Sequence, residues 1–402
     1  ALKKKGYIIL PEEVYQKNNE ARLIKEMHAM IDVQRQTALE LVENEWDFFF
    51  FVYFATDKAG HWFWKHMDDN HPLHRKRDAP YADTILDVYK KMDDAVGKLI
   101  AKAGPNATVI LVSDHGMGPL HKDVFINNWL MREGFMRLKP RALTRLKKAL
   151  HDAGFTLENA YGVAQRLNVA KATAASGEAA EKARRFLLDH FFISFHDVDW
   201  SKTVAFSATN YGPIFINLQG RQREGIVSAQ EYEDVRNRII SKMGEFTDPD
   251  GKPVFEKIWK KEELIHGPHS PQAPDIVFQI TDMKYTSNRY FEFASNQLFG
   301  KPHRDMSGDH RNDGIILASG KHVLPQSAPV SAQMVDLVPT VLHLLDVPAP
   351  DDLDGQPLLN LFDPNSEPRT RSYKTRPADA HAAARRRIRE AAAGLAAKLR
   401  KP

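Results

Sequence analysis

Five side chains of metal-ligating type stand in turns next to apolar runs: Asp57, His61, Asp114, His115 and His310. Residues 108–112 (TVILV) read as a short buried strand of β-branched and aliphatic residues. Asp114 and His115 follow at once, before a turn through Gly116, Gly118 and Pro119. Residues 48–55 (FFFFVYFA) form a second apolar run, ending in Thr56, Asp57 and, four positions on, His61. A helix beginning near Asp57 puts Asp57 and His61 on one face. His310 lies in residues 308–314 (GDHRNDG), just ahead of the apolar run 315–318 (IILA). Carboxylate and imidazole together suit zinc or a similar divalent ion, and open α/β sheets place ligand sites at the carboxyl ends of their strands. A single histidine beside an apolar run is ordinarily packing, and a single strand-end aspartate ordinarily a cap. Five such side chains in three segments, two of them sharing one layout, point instead to a metal centre.

The elements that must position these residues follow from periodicity. Residues 20–45 carry apolar side chains at helical spacing (Leu23, Met27, Met30, Ile31) with no Pro or Gly, and so read as a helix. Residues 83–103 repeat the pattern (Ile85, Leu86, Val88, Met92, Val96, Leu99, Ile100) and stop at Gly104 and Pro105. Strand 48–55, helix 83–103 and strand 108–112 would make a βαβ unit, and with it a parallel sheet. Residues 141–195 are rich in Lys, Arg, Ala and Leu, with no strand-like run before Phe191, and read as a helical insertion or cap; within them, residues 170–183 are an Ala-rich helix or linker. Strand patterns return at 203–206, 214–217 and 275–280, and residues 232–243 read as a helix. Near the start, residues 6–10 suggest a short strand or loop.

Several of these segments are similar to motifs of the alkaline phosphatase superfamily, in its type I phosphodiesterase/nucleotide pyrophosphatase branch. Residues 57–61 (DKAGH) resemble that branch's D-x-x-G-H segment, residues 113–117 (SDHGM) its S-D-H-G-M segment, and residues 308–310 (GDH) its late G-x-H. Residues 335–345 (VDLVPTVLHLL), followed by 352–355 (DLDG), resemble its D-L-x-P-T helix and D-x-D-G turn, so the likeness runs from about 20 to 362 in matching order. The resemblance implies an α/β fold with a mostly parallel central sheet and helices on both faces. Its core would be residues 1–140 and 196–362, its insertion 141–195. It implies two divalent ions, zinc or alternatively manganese. Asp57, His61 and His310 would hold the first, Asp114 and His115 the second. The implied activity is hydrolysis of phosphodiester or nucleotide pyrophosphate bonds by two-metal in-line displacement, through a covalent intermediate on a Thr or Ser. The partner would be a phosphorylated small molecule such as a nucleotide, with Trp62, next to His61, as a substrate contact. The family carries a further ligand Asp and its nucleophile ahead of D-x-x-G-H, and nothing in residues 1–56 matches them. The expectation is a chain that starts inside the family's domain and alone turns over phosphodiesters poorly. Other readings are a metal-binding but incompetent module, or a phosphomonoesterase or phosphomutase of the same superfamily; a sulfatase fits least.

Composition narrows the classes further. The 402 residues are 43% hydrophobic and 27% charged, ordinary for a folded globular protein. There is no cysteine, which excludes disulfides and thiolate ligands. No apolar run approaches a membrane span, and a cytoplasmic location is the expectation. From Asp363 onward eleven Lys or Arg face four Asp or Glu, a net +7; subtracted from the whole-chain +4, this leaves −3 for residues 1–362. The basic excess therefore belongs to residues 363–402, which read as a flexible appendage. No interleaved basic and aromatic motif suggests nucleic-acid recognition.

Overall fold

The computed structural model describes residue 7 and residues 19–166, 190–208, 211–287, 292–302, 306–325 and 328–378. The Ala-rich stretch 170–183 lies outside the described residues, as does all of 6–10 except Tyr7. Among the described residues no helix is long and apolar enough to cross a membrane.

Three helices form the first body of the fold: α1 (Glu20–Leu41), α2 (Ala55–Met67) and α3 (Thr84–Ala103). The helical spacing read from α1 and α3 buries Leu23, Met27, Met30 and Ile31 against Ile85, Val88 and Met92, with Ala55, Ala59 and Phe63 of α2 between them. Each large side chain fully buried this way contributes roughly 1.5–3 kcal/mol. Gly104, with φ of 85°, ends α3 in a backbone conformation that side chains disfavour.

After α3 the chain lays down β1 (Val109–Val112), β2 (Gly116–Pro119) and β3 (Lys122–Val124), then α4 (Ile126–Arg132), α5 (Ala142–Asp152) and α6 (Leu157–Arg166). Next come β4 (Ala205–Phe206), β5 (Phe215–Ile216), α7 (Tyr232–Gly244), β6 (Phe255–Lys260), β7 (Ile276–Ile280), β8 (Tyr285–Ser287) and β9 (Phe299–Gly300). They enclose the largest apolar core, built on Trp129, Leu130, Met136, Ile214, Ile216, Ile239 and Ile276. Helix α5 is fastened to it by a buried ion pair, Lys147 Nζ to Asp197 at 2.9 Å, and by the Thr144 hydroxyl donating to the same carboxylate.

The chain closes with β10 (Gly308–Arg311), β11 (Ile316–Ser319), α8 (Leu337–Leu344), β12 (Ala349–Pro350), α9 (Glu367–Thr370) and β13 (Thr375–Arg376). Residues 363–378, placed by composition in the basic appendage, are tied to this end. Strand β13 pairs parallel with β12, His343 Nε2 donates to the Pro368 carbonyl at 2.7 Å, and Pro368 is buried.

The fold is mixed α/β, but the expected parallel central sheet is not formed among the described residues. The sheets are of two and three strands, and only β3–β8 and β12–β13 are parallel. Strand β1 pairs antiparallel with β11, from Val109 opposite Ser319 to Val112 opposite Ile316. The run 48–55, expected as a buried strand, forms none: residues 48–54 carry no ladder and Ala55 opens α2. Its backbone is nonetheless extended, because rings two apart share a side: Phe48 stacks with Phe50 and Phe49 with Phe51. Apolar pattern alone does not make a strand; a partner backbone must take up its N–H and C=O groups.

Candidate metal centre

Three elements meet at the site. Helix α2 carries Asp57 and His61 one turn apart, with the Asp57 carboxylate in the first turn, where the helix dipole favours a negative charge. His115 sits just before β2, and His310 lies within β10, which pairs antiparallel with β2 so that His310 is opposite Met117. The sequence expectation set His310 ahead of a strand; it is on one.

Glycines allow helix and strands to approach this closely. A Cβ on Gly308 would lie 2.2 Å from the Gly60 carbonyl oxygen, and a Cβ on Gly60 would lie 2.7 Å from Met117 Cγ. A helix-interior glycine costs roughly 1 kcal/mol against alanine, and here it gives α2 direct access to the β2–β10 ribbon. Two hydrogen bonds then join helix to strand: Ser307 N–H donates to the His61 carbonyl at 2.8 Å, and His61 Nδ1 lies 2.8 Å from the Gly308 carbonyl oxygen.

The side chains converge on one atom. Asp57 Oδ1 lies 3.2 Å from His61 Nε2, 3.5 Å from His310 Nε2 and 3.8 Å from His115 Nε2. His61 Nε2 and His310 Nε2 are 3.1 Å apart, and the rings of His115 and His310 stack with centroids 3.6 Å apart. Asp57 Oδ1 is buried and has no hydrogen bond of proper geometry, while Oδ2 accepts one from Lys58 at 2.8 Å. Burial pushes the Asp57 carboxyl up, but the imidazoles of His310 and His61 and the Lys58 ammonium outweigh it and hold the group well below the usual carboxylate range.

These residues fit a divalent cation. Zinc bonds of about 2.0–2.2 Å in a tetrahedron set ligand atoms roughly 3.3–3.6 Å apart, close to the 3.2, 3.5 and 3.8 Å found around Asp57 Oδ1. A buried carboxylate oxygen left without a hydrogen bond is costly, and a cation removes that cost. Two overlapping sets have ligand atoms all within 4.8 Å of one another: Asp57, His115 and His310, and His61, Asp309 and His310.

Of the five residues read from the sequence, the structure brings Asp57, His61, His115 and His310 together. Asp114 stays at the margin: its side chain is 80% exposed and Oδ1 lies 3.6 Å from His115 Nε2. His115 falls beside Asp57 and His310 and not only beside Asp114. Trp62 packs, half-buried, against the core of α1, α2 and α3. Asp309, beside His310, is buried and accepts the His310 backbone N–H at 3.0 Å. Its place next to a ligand-type histidine was the available signal.

The family model for type I phosphodiesterase / nucleotide pyrophosphatase matches residues 9–311. No curated protein and no solved structure matches the chain significantly. The matched span covers all four converging residues and most of the chain, and the chain belongs to the type I phosphodiesterase/nucleotide pyrophosphatase family.

Proposed function

We propose that this chain is a metal-dependent phosphoric ester hydrolase whose substrates are phosphodiesters or nucleotide pyrophosphates. The convergence of three imidazole nitrogens on Asp57 Oδ1, an oxygen with no hydrogen bond, carries this reading. Asp57, His61 and His310 hold one divalent ion; His115, with Asp114, serves a second, zinc or alternatively manganese at both. When bound, two such ions would flank one phosphate and neutralise the charge that builds on its oxygens.

The chain's own residues do the rest. The Gly308 and Gly116 carbonyls fix the tautomers of His61 and His115, at 2.8 and 2.9 Å from their Nδ1 atoms, which leaves Nε2 of each free to ligate. Asp57 stays ionised at any ordinary pH, so it keeps its charge for a cation. The core of residues 1–140 and 196–362, with its 141–195 insertion, would follow the family's alkaline phosphatase-like arrangement, and a cytoplasmic location would suit a nucleotide substrate.

The test is metal content and turnover together. Protein stripped with a chelator and dialysed against zinc should retain the metal. The Asp57→Ala and His61→Ala variants should lose at least one ion per chain by elemental analysis, and hydrolysis of bis-p-nitrophenyl phosphate should depend on the added metal. Wild-type protein that retains no zinc or manganese would overturn the reading.

A further inference from the structure

Helix α5 faces the wrong way for a surface helix. Such a helix ordinarily turns an apolar stripe to the core and a polar one to water. Here Thr144, Lys147 and His151, spaced i, i+3, i+7, are the buried side chains. The Asp197 carboxylate takes the Thr144 hydroxyl and the Lys147 ammonium, both at 2.9 Å, and so docks the polar stripe. Leu143, Leu146 and Leu150 have the same spacing and are 58%, 56% and 42% exposed. At about 3.6 residues per turn the two stripes lie about 100° apart around the helix, so burying the polar one leaves the leucines to solvent. The apolar surface continues past the helix. The Phe155 N–H donates to the Leu150 carbonyl at 2.9 Å, the Phe155 ring stacks on Phe192 with centroids 5.0 Å apart, and both Phe155 and Phe191 are exposed.

Charge indicates what this face meets. Residues 137–151 hold six Lys or Arg and no Asp or Glu, although residues 1–362 as a whole carry a net −3. Lys147 is turned inward to Asp197 and Lys148 pairs with Asp152 at 2.6 Å, while Arg137, Arg141 and Arg145 are exposed. A second copy docked face to face here would set arginine against arginine, and like charges oppose association. The partner must therefore be anionic, and it must also accept leucines that protrude along a convex helix. An anionic lipid surface does both. Its headgroups meet the guanidinium groups, its acyl chains take the leucines, and long arginine stems keep their charge at the interface.

We propose that α5 is an interfacial helix that seats the protein on an anionic phospholipid surface, with Leu143, Leu146 and Leu150 entering the acyl region and Arg141 and Arg145 holding the headgroups. This goes beyond the hydrolase reading and does not depend on the metal centre.

The basic residues from 363 onward also attract anionic vesicles, so the test must report α5 itself. The chain has no cysteine, and Leu146→Cys in the full chain therefore carries an environment-sensitive dye at one place. Its emission should shift to the blue on vesicles of phosphatidylcholine with phosphatidylserine and stay unchanged on phosphatidylcholine alone. In co-sedimentation with the anionic vesicles, the unlabelled Leu143→Asp/Leu150→Asp double variant should bind at least about tenfold more weakly than wild type. Its thermal midpoint should stay near wild type, because the leucines are exposed in the folded chain. An unshifted dye on anionic vesicles, an equal shift on neutral ones, or undiminished binding by the double variant would overturn the proposal. So would a wild-type dimer in gel filtration that the double variant converts to monomer, since the face would then belong to a second copy.

Discussion

Two aspartates in this molecule lie among groups that stabilise their charge, and they are finished differently. Asp275 is fully buried and saturated: Arg221 binds both its oxygens, Lys261 lies 3.2 Å away, the Tyr232 hydroxyl donates at 2.6 Å and the Ile216 N–H at 2.7 Å. Burial pushes its carboxyl up, and Arg221, Tyr232 and the Ile216 N–H outweigh this and hold it low. Asp57 is also held low, but one buried oxygen faces three imidazole nitrogens without a proper hydrogen bond. A depressed carboxyl alone therefore does not mark a site. The unfinished coordination does: the saturated cluster is complete as protein, and the other is complete only with something added.

The largest effect that could break this contrast is at the saturated end. Asp275→Ala leaves Arg221 and Lys261, both mostly buried, without their carboxylate, and should cost about 3–5 kcal/mol in urea denaturation. A loss near zero would mean that the cluster does not hold β5, α7 and β7 together.

The middle effect is at the unfinished end. Asp57→Asn should lower metal-free stability less than Asp275→Ala does, since only Oδ2 has a hydrogen bond to lose, the one from Lys58. Zinc at one hundred times its dissociation constant should stabilise wild-type protein by about 2.7 kcal/mol and the variant far less. If zinc raised the midpoint of both equally, the cation would be binding elsewhere.

The smallest effect sharpens the comparison by adding a third polar pair that wants no partner ion. His71 and His121 meet edge to face, 5.2 Å between centroids. His71 Nε2 donates to the Leu120 carbonyl at 2.9 Å while Nδ1 accepts from the Leu73 N–H, which leaves no place for a second proton. Burial lowers both, and with the charges of His71 and Lys284 it brings His121 down to about 4. The unfolded chain therefore takes up these protons first. Their contribution to stability is present above the ordinary imidazole value of 6.5 and is lost as pH falls toward about 4. The thermal midpoint should decline through that window and decline less in His121→Gln; parallel profiles would assign the slope to other groups.

Local pattern made much of this legible. Helices at 20–41 and 84–103 follow from apolar spacing, the second with its glycine stop. The four converging residues were nameable because carboxylates and histidines beside apolar runs are an uncommon combination. The pairing of strands was not legible. Residues 48–55 have the composition of a buried strand, but whether they become one depends on which backbone lies alongside, and β1 takes β11 antiparallel instead. His310 showed the limit in another way: its neighbours Gly308 and Asp309 read as a loop by propensity, and they form a strand because β2 supplies the ladder. The order of residues 363–378 was likewise hidden, because composition counts charge and does not see that Pro368 reaches His343.

The contact between Gly60 and Gly308 has a mechanical consequence. Where two elements touch through side chains, rotamer changes can take up small displacements between them. Here a main-chain oxygen stands where a Cβ would be, 2.2 Å from its ideal position, and no flexible spacer lies between helix and strand. The separation of His61 and His310 is therefore set largely by covalent geometry, by the backbone hydrogen bond from Ser307 to His61 and by the bond from the His61 ring to the Gly308 carbonyl, as on a ruler. A centre built on such a ruler discriminates by ionic radius: it suits an ion content with short bonds to nitrogen, and it cannot widen to the longer bonds and six to eight oxygens that calcium requires.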